Sequence, residues 1–117
     1  MAKHVNCYSD YRFQVDITTP DSTGELAQPT LGAITGILLR LSATETGAAL
    51  NAAVDALAAS ETAGTAGRFY YSVDTSLLQS YVLPLGVGAS FYAIWSKTND
   101  MDMKTVRFIV ADRDKVT

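Results

Sequence analysis

One cysteine and one histidine among 117 residues remove several classes of protein at once. Cys7 has no partner for an intramolecular disulfide, so the fold must hold without a covalent staple and has no need of an oxidising compartment. With no basic neighbour beyond His4, the thiol is expected to serve as a small apolar filler. A structural zinc site takes four ligands, and one cysteine with one histidine cannot supply a Cys/His set. His4, the sole imidazole, stands near the N-terminus without a serine, cysteine or carboxylate that strand alternation would place beside it, so neither a Ser-His-Asp nor a Cys-His arrangement is assembled. Long apolar runs are also missing: nothing approaches the roughly 20 residues that carry a helix across a bilayer. Residues 1–6 lack the apolar stretch and small-residue cleavage pattern of a secretory signal, and folding in the cytoplasm where the chain is made is expected. Basic clusters are absent too. The net charge is −3 and the acidic residues are scattered, which argues against a surface that neutralises nucleic-acid phosphates.

What the chain has in abundance is alternation with a period of two. Tyr11, Phe13, Val15 and Ile17 point one way while Arg12, Gln14, Asp16 and Thr18 point the other, and the pattern recurs in Ile37, Leu39, Leu41 and Ala43, in Phe69, Tyr71 and Val73, in Phe91, Ala93 and Trp95, and in Val106, Phe108 and Val110. Side chains on a strand alternate between the faces of a sheet, so each run reads as a half-buried strand. A core through Phe13, Leu39, Tyr71, Trp95 and Phe108 follows. Turn chemistry separates the runs: Pro20, Asp21, Ser22 and Gly24 open a long loop to about residue 30, and Glu45, Thr46, Gly47 and Ala48 suit a hairpin. Residues 49–60 are ambiguous, because Leu50, Val54 and Leu57 have helical spacing whereas Ala52, Val54, Ala56 and Ala58 alternate; their position between two turns favours a strand. Asp74 reads as the N-cap of a short helical turn near 75–82. The expected fold is all-β, a single immunoglobulin-like antiparallel β-sandwich with a small barrel as the other arrangement. It spans residues 11–111, preceded by an arm, 1–10, and followed by a charged tail, 112–117.

Chemistry is harder to find. Asn99, Asp100, Met101 and Asp102 offer oxygen ligands, but the spacing is incomplete for a calcium loop and a soluble hairpin turn accounts for them. Gly86 and Gly88 form no phosphate-binding pattern and precede a strand rather than a helix. No catalytic residue, metal site or cofactor is assigned, and the chain is expected not to be an enzyme. The positions that alternation leaves outside the core are more informative. Tyr70, Tyr92 and Ile94, with Arg68 nearby, and Val5 and Tyr8 on the arm, are candidates for a protein interface, since tyrosine combines apolar area with a polar tip. Outward aromatic rings also stack on sugars, so a carbohydrate- or receptor-binding module is the alternative.

The stretch from Ile37-Leu38-Leu39-Arg40-Leu41 through Thr46-Gly47-Ala48-Ala49 and Ala66-Gly67-Arg68-Phe69-Tyr70-Tyr71 to Gly88-Ala89-Ser90-Phe91-Tyr92-Ala93-Ile94-Trp95 resembles small immunoglobulin-like virion proteins of tailed bacteriophages, of the head decoration, neck or baseplate accessory type. The resemblance covers about two thirds of the chain and transfers no residue-by-residue binding motif. It implies a non-enzymatic structural component of a virion, a capsid decoration or cement protein or a head-tail connector subunit. Such a subunit would self-associate and contact capsid, portal or tail proteins, where many copies amplify each modest contact. Neither nucleic acid nor membrane is expected as a partner.

Overall fold

A computed structural model describes residues 3–98 and 102–111; the tail expected over 112–117 and Asn99, Asp100 and Met101 of the closing turn lie outside the described residues. In chain order the main strands are β1 (Lys3–Val5), β2 (Tyr11–Asp16), β3 (Thr19–Pro20), β4 (Leu26–Ala27), β5 (Ile37–Ser42), β6 (Leu57–Ala58), β7 (Ser60–Glu61), β8 (Arg68–Val73), β9 (Ser90–Lys97) and β10 (Asp102–Val110), with one α-helix among the described residues, α1 (Thr75–Tyr81), between β8 and β9. Eight of them form a five-stranded sheet in the order β1-β10-β9-β5-β6 and a three-stranded sheet in the order β2-β8-β7, and β3 and β4 pair with each other. This division, with the second, eighth and seventh strands in one layer and the last hairpin beside β5 and β6 in the other, is the immunoglobulin-like arrangement. Pairing is antiparallel except at β1, which lies parallel to β10.

The alternation in the sequence is what presses the layers together. Phe13, Val15, Phe69 and Val73 from the small sheet meet Leu39, Leu41, Phe91, Ala93, Trp95, Phe108 and Val110 from the large one in a single buried cluster. At its centre Phe13 packs edge-on against Phe108, with ring centroids 5.0 Å apart, and against Phe91 at 6.2 Å, while Phe91 and Phe108 stack at 5.5 Å. Tyr11 adds edge contacts to Phe13 and Phe108. Rings in offset or edge-to-face contact gain energy beyond their burial, and here those contacts join the two sheets where a disulfide would otherwise do so. Cys7 is fully buried in the same cluster and burial pushes its thiol pKa up, in keeping with a packing role. Of the residues expected in the core, Tyr71 is half-buried at its margin.

Two segments differ from the reading of the sequence. Residues 49–60 are neither one strand nor one helix. Ala49 bridges to Ser42, Ala52–Val54 makes a 3-10 turn capped by the Asn51 side chain, and two short strands follow, β6 in the large sheet and β7 in the small one. The chain therefore changes layers at Ala59, whose N–H donates to the Ile37 carbonyl at 3.0 Å. This crossing closes one side of the sandwich. Helical spacing and strand alternation were both present in the sequence because the segment touches both layers within a few residues. The strand expected to run through Ala43 stops at Ser42, which is buried and uses its hydroxyl to donate to the Ala48 carbonyl at 2.7 Å and to accept from the Thr44 N–H at 3.2 Å.

The loop over 19–30 contains a small ribbon of its own, β3 with β4. The Asp21 carboxylate accepts from the N–H groups of Thr23 and Glu25 and from the Thr23 hydroxyl, and these bonds, led by the hydroxyl, hold its pKa below the usual range. Farther along, the Glu61 carboxylate accepts from the Gly32 and Gly67 N–H groups, both at 2.9 Å, and so pins the loop before β5 to the start of β8. Asp74 caps α1 as expected: its carboxylate accepts from the Leu77 N–H at 3.0 Å and the Ser76 hydroxyl at 2.9 Å, which lowers its pKa. Leu78 from α1 is fully buried and closes the end of the core.

Phe13→Ala should lower the free energy of unfolding by about 3–5 kcal/mol, a large share of the roughly 5–15 kcal/mol typical of a domain. Denaturant unfolding followed by tryptophan fluorescence measures it, and a loss near zero would mean that other contacts hold the layers. Gly67 has φ of +82°, and a Cβ there would stand 2.5 Å from the Ile17 carbonyl oxygen. Gly67→Ala should therefore cost about 2 kcal/mol or more from left-handed backbone and clash together, measurable in the same assay.

Candidate functional site

The residues singled out for an interface do not form one surface. Tyr70 and Arg68 lie on β8 and face outward from the three-stranded sheet, whereas Tyr92 and Ile94 lie on β9 and face outward from the five-stranded sheet. Alternation identified outward positions within each strand but could not say which outer face each belonged to.

On the small sheet the outer positions pair across strands as Arg12 with Ser72, Gln14 with Tyr70 and Asp16 with Arg68. Arg68 donates from Nε to Asp16 Oδ1 at 2.8 Å and from Nη2 to Oδ2 at 3.3 Å, a two-point guanidinium–carboxylate contact. The hydrogen bond from Arg68 is the main reason that the Asp16 pKa is lowered, with Lys104 and Lys3 adding smaller electrostatic contributions. The Arg12 guanidinium carbon lies 4.3 Å from the Tyr70 ring centroid, a cation–π distance. One face of the Tyr70 ring is thus already covered by Arg12 and is not open to a sugar.

On the large sheet Tyr92 is half-buried between Arg107 and Ser42 in register, and Arg107 donates from Nε to Ser90 Oγ at 2.9 Å. Ile94 is 1% exposed and so cannot be a contact residue as it stands. It faces outward, yet it occupies the central strand with Arg40 and Thr105 as cross-strand neighbours, and long side chains lying along a sheet cover a shorter one between them. Arg40 is held in place by Asp55, with Nε to Oδ1 at 2.9 Å. Val5 is likewise corrected: β1 is the edge strand of the large sheet, and the Val5 side chain points inward at 0% exposure. Tyr8, the other arm candidate, is 43% exposed.

Side chains that the sequence reading passed over are more exposed. Leu26 on β4 (72%), Leu31 (54%) and Val87 (59%) stand out from loops. Alternation cannot find such residues, because it scores strands and these lie in turns and a two-residue ribbon. Two shallow clefts of about 220 and 250 Å³ flank the end of β2 at Asp16–Thr18, one beside Gly67 and Arg68 and the other beside Lys104. Both fall below the roughly 300–1,000 Å³ usual for small-molecule sites. Among the described residues, no three histidine, cysteine or acidic side chains gather as a metal site would require, and no helix is long and apolar enough to cross a membrane. Comparison of the chain with protein-family models, curated proteins and solved structures gives no match. The fold and the surface together define an immunoglobulin-like sandwich whose charged outer groups are largely engaged within the chain.

Because the folded Asp16 pKa lies below its unfolded value, near 3.9, the Asp16–Arg68 contact contributes stability above that value and loses it as pH falls through the folded pKa. Arg68→Ala should raise the Asp16 midpoint toward the ordinary range. Carboxyl NMR titration reads this directly, and an unchanged midpoint would show that Arg68 is not the cause.

Proposed function

We propose that this chain is a non-enzymatic contact subunit, used as a structural component of a bacteriophage virion in the manner of a capsid decoration or cement protein or a head-tail connector. The observation that carries the contact role is how the polar groups are spent. Asp16 with Arg68, Arg40 with Asp55, and the carboxylates of Asp21, Glu61 and Asp74 are all bonded within the chain. Open to a partner beside these engaged groups are exposed apolar area at Leu26, Leu31 and Val87 and main-chain bonding capacity at a strand edge. Those are means of gripping another protein rather than of activating a substrate. The virion setting rests on the resemblance described for residues 37–95. The carbohydrate-binding alternative loses ground at Tyr70, where Arg12 occupies a ring face.

Purified particles of the phage that encodes the chain, analysed by quantitative mass spectrometry, should contain it in fixed ratio to the major capsid protein. A ratio near one per capsid subunit would identify a decoration protein and a small ring-like number a connector. Complete absence from particles would overturn the virion assignment.

A further inference from the structure

The crossing at Ala59 closes one side of the sandwich, but the opposite side ends in β2, an edge strand of six residues that pairs only with β8. The phase of its hydrogen bonds can be read from the flanking pairs. Ile17 N–H donates to the Gly67 carbonyl at 2.8 Å, and Thr62 N–H donates to the Arg68 carbonyl at 2.7 Å. In an antiparallel pair, bonded positions alternate. Tyr11, Phe13, Val15 and Ile17 thus bond to β8 and its continuation, and Arg12, Gln14 and Asp16 turn their N–H and C=O groups to the open edge.

Those same three residues carry a self-complementary pattern. We propose that β2 pairs antiparallel with β2 of a second copy of this chain about a two-fold axis at Gln14, joining the two three-stranded sheets into one of six strands. In that register Arg12 faces Asp16 of the second copy, Gln14 faces Gln14, and Asp16 faces Arg12, all at hydrogen-bonded positions. On the inner face Phe13 meets Val15, so the apolar layers run on from copy to copy without a buried charge. A two-fold interface needs this kind of self-complementarity, and opposite charges directly across strands stabilise a pair whereas like charges oppose it. Arg12 is ready for the role: among the described residues its guanidinium makes no ion pair and no side-chain hydrogen bond, only the stack on Tyr70 that holds it beside the edge. Asp16 keeps 60% of its side chain exposed despite Arg68. Six residues of strand make a small seam compared with the roughly 1,200–2,000 Å² of stable interfaces, and Lys3 and Lys104 lie near Asp16 on the facing layer. The pair therefore dissociates on dilution.

This inference deepens the contact-subunit reading and rests on it, but the two fail separately: particle composition bears on one and the solution state of the isolated chain on the other. Sedimentation velocity over a concentration series should show a reversible monomer–dimer equilibrium for the native chain. Arg12→Asp alone sets two carboxylates against each other twice per dimer, and Asp16→Arg alone does the same with two guanidiniums, so each should weaken association by about tenfold or more. Mixed together, the two variants restore both opposite-charge pairs and should form a heterodimer. Gln14→Pro removes an N–H at the two-fold axis but none from the β8 ladder, an edge position that tolerates proline, and should also be monomeric. A native chain that stays monomeric at every concentration, a dimer that all three variants leave intact, or charge variants that fold but do not associate on mixing would each overturn the proposal.

Discussion

The structure depends on the contact of Phe13 with Phe91 and Phe108 across the two layers. Beyond the connecting loops, a sandwich of this kind has no covalent cross-link between its sheets unless a disulfide supplies one, and a chain with a single cysteine must hold the layers chiefly by packing. Three rings from β2, β9 and β10, with Tyr11 at their margin, bring the second strand of the chain against the last hairpin. That contact joins segments almost a hundred residues apart in sequence. Once the rings meet, the register of β2 on β8 and of β9 on β10 puts every second residue on the inner face, and the positions of the outer residues follow.

Those outer residues explain why the molecule is read as a contact module. Each sheet satisfies its own outer face: Asp16 with Arg68 and Arg12 over Tyr70 on one, Arg40 with Asp55 and Arg107 with Ser90 on the other. Charges consumed in this way tune local geometry and the pH response of the fold. On the proposed reading, contact with a partner falls to main-chain groups at the β2 edge with Arg12 and Asp16 beside them and to apolar side chains on loops. The asymmetry of the two sides matters here. The chain crosses between layers at Ala59 beside β7, whereas on the opposite side the six-residue β2 ends the small sheet with its outer edge unpaired among the described residues.

Much of this was legible in the sequence. Period-two alternation located β2, β5, β8, β9 and β10, and Asp74 announced α1, because both signals are local: one records which face of a strand is buried and the other a cap within three residues. The failures were of long range. Val5 was assigned to an interface because nothing in residues 1–10 shows that β1 lies parallel to β10 with that side chain inward. Ile94 was assigned outward, correctly in direction, but a central strand flanked by Arg40 and Thr105 buries an outward residue that an edge strand would expose. Tyr70 and Tyr92 were grouped although they stand on opposite outer faces, since strand parity is counted along one strand and sheet membership is set by pairing. The arginine, glutamine and aspartate at 12, 14 and 16 were recognised as outward. Their mutual complementarity became meaningful only once β2 was found at an edge.

The most direct measurement of the account is amide hydrogen exchange along β2, followed by NMR at low and at high protein concentration. At low concentration the N–H groups of Phe13, Val15 and Ile17, bonded to β8 and its continuation, should be protected while those of Gln14 and Asp16 exchange freely. At high concentration the second set should become protected and the first should change little. Protection of Gln14 and Asp16 as strong as that of Phe13 and Val15 at low concentration, or fast exchange of Gln14 and Asp16 at every concentration, would contradict the picture of a sandwich with one open edge that closes on a second copy.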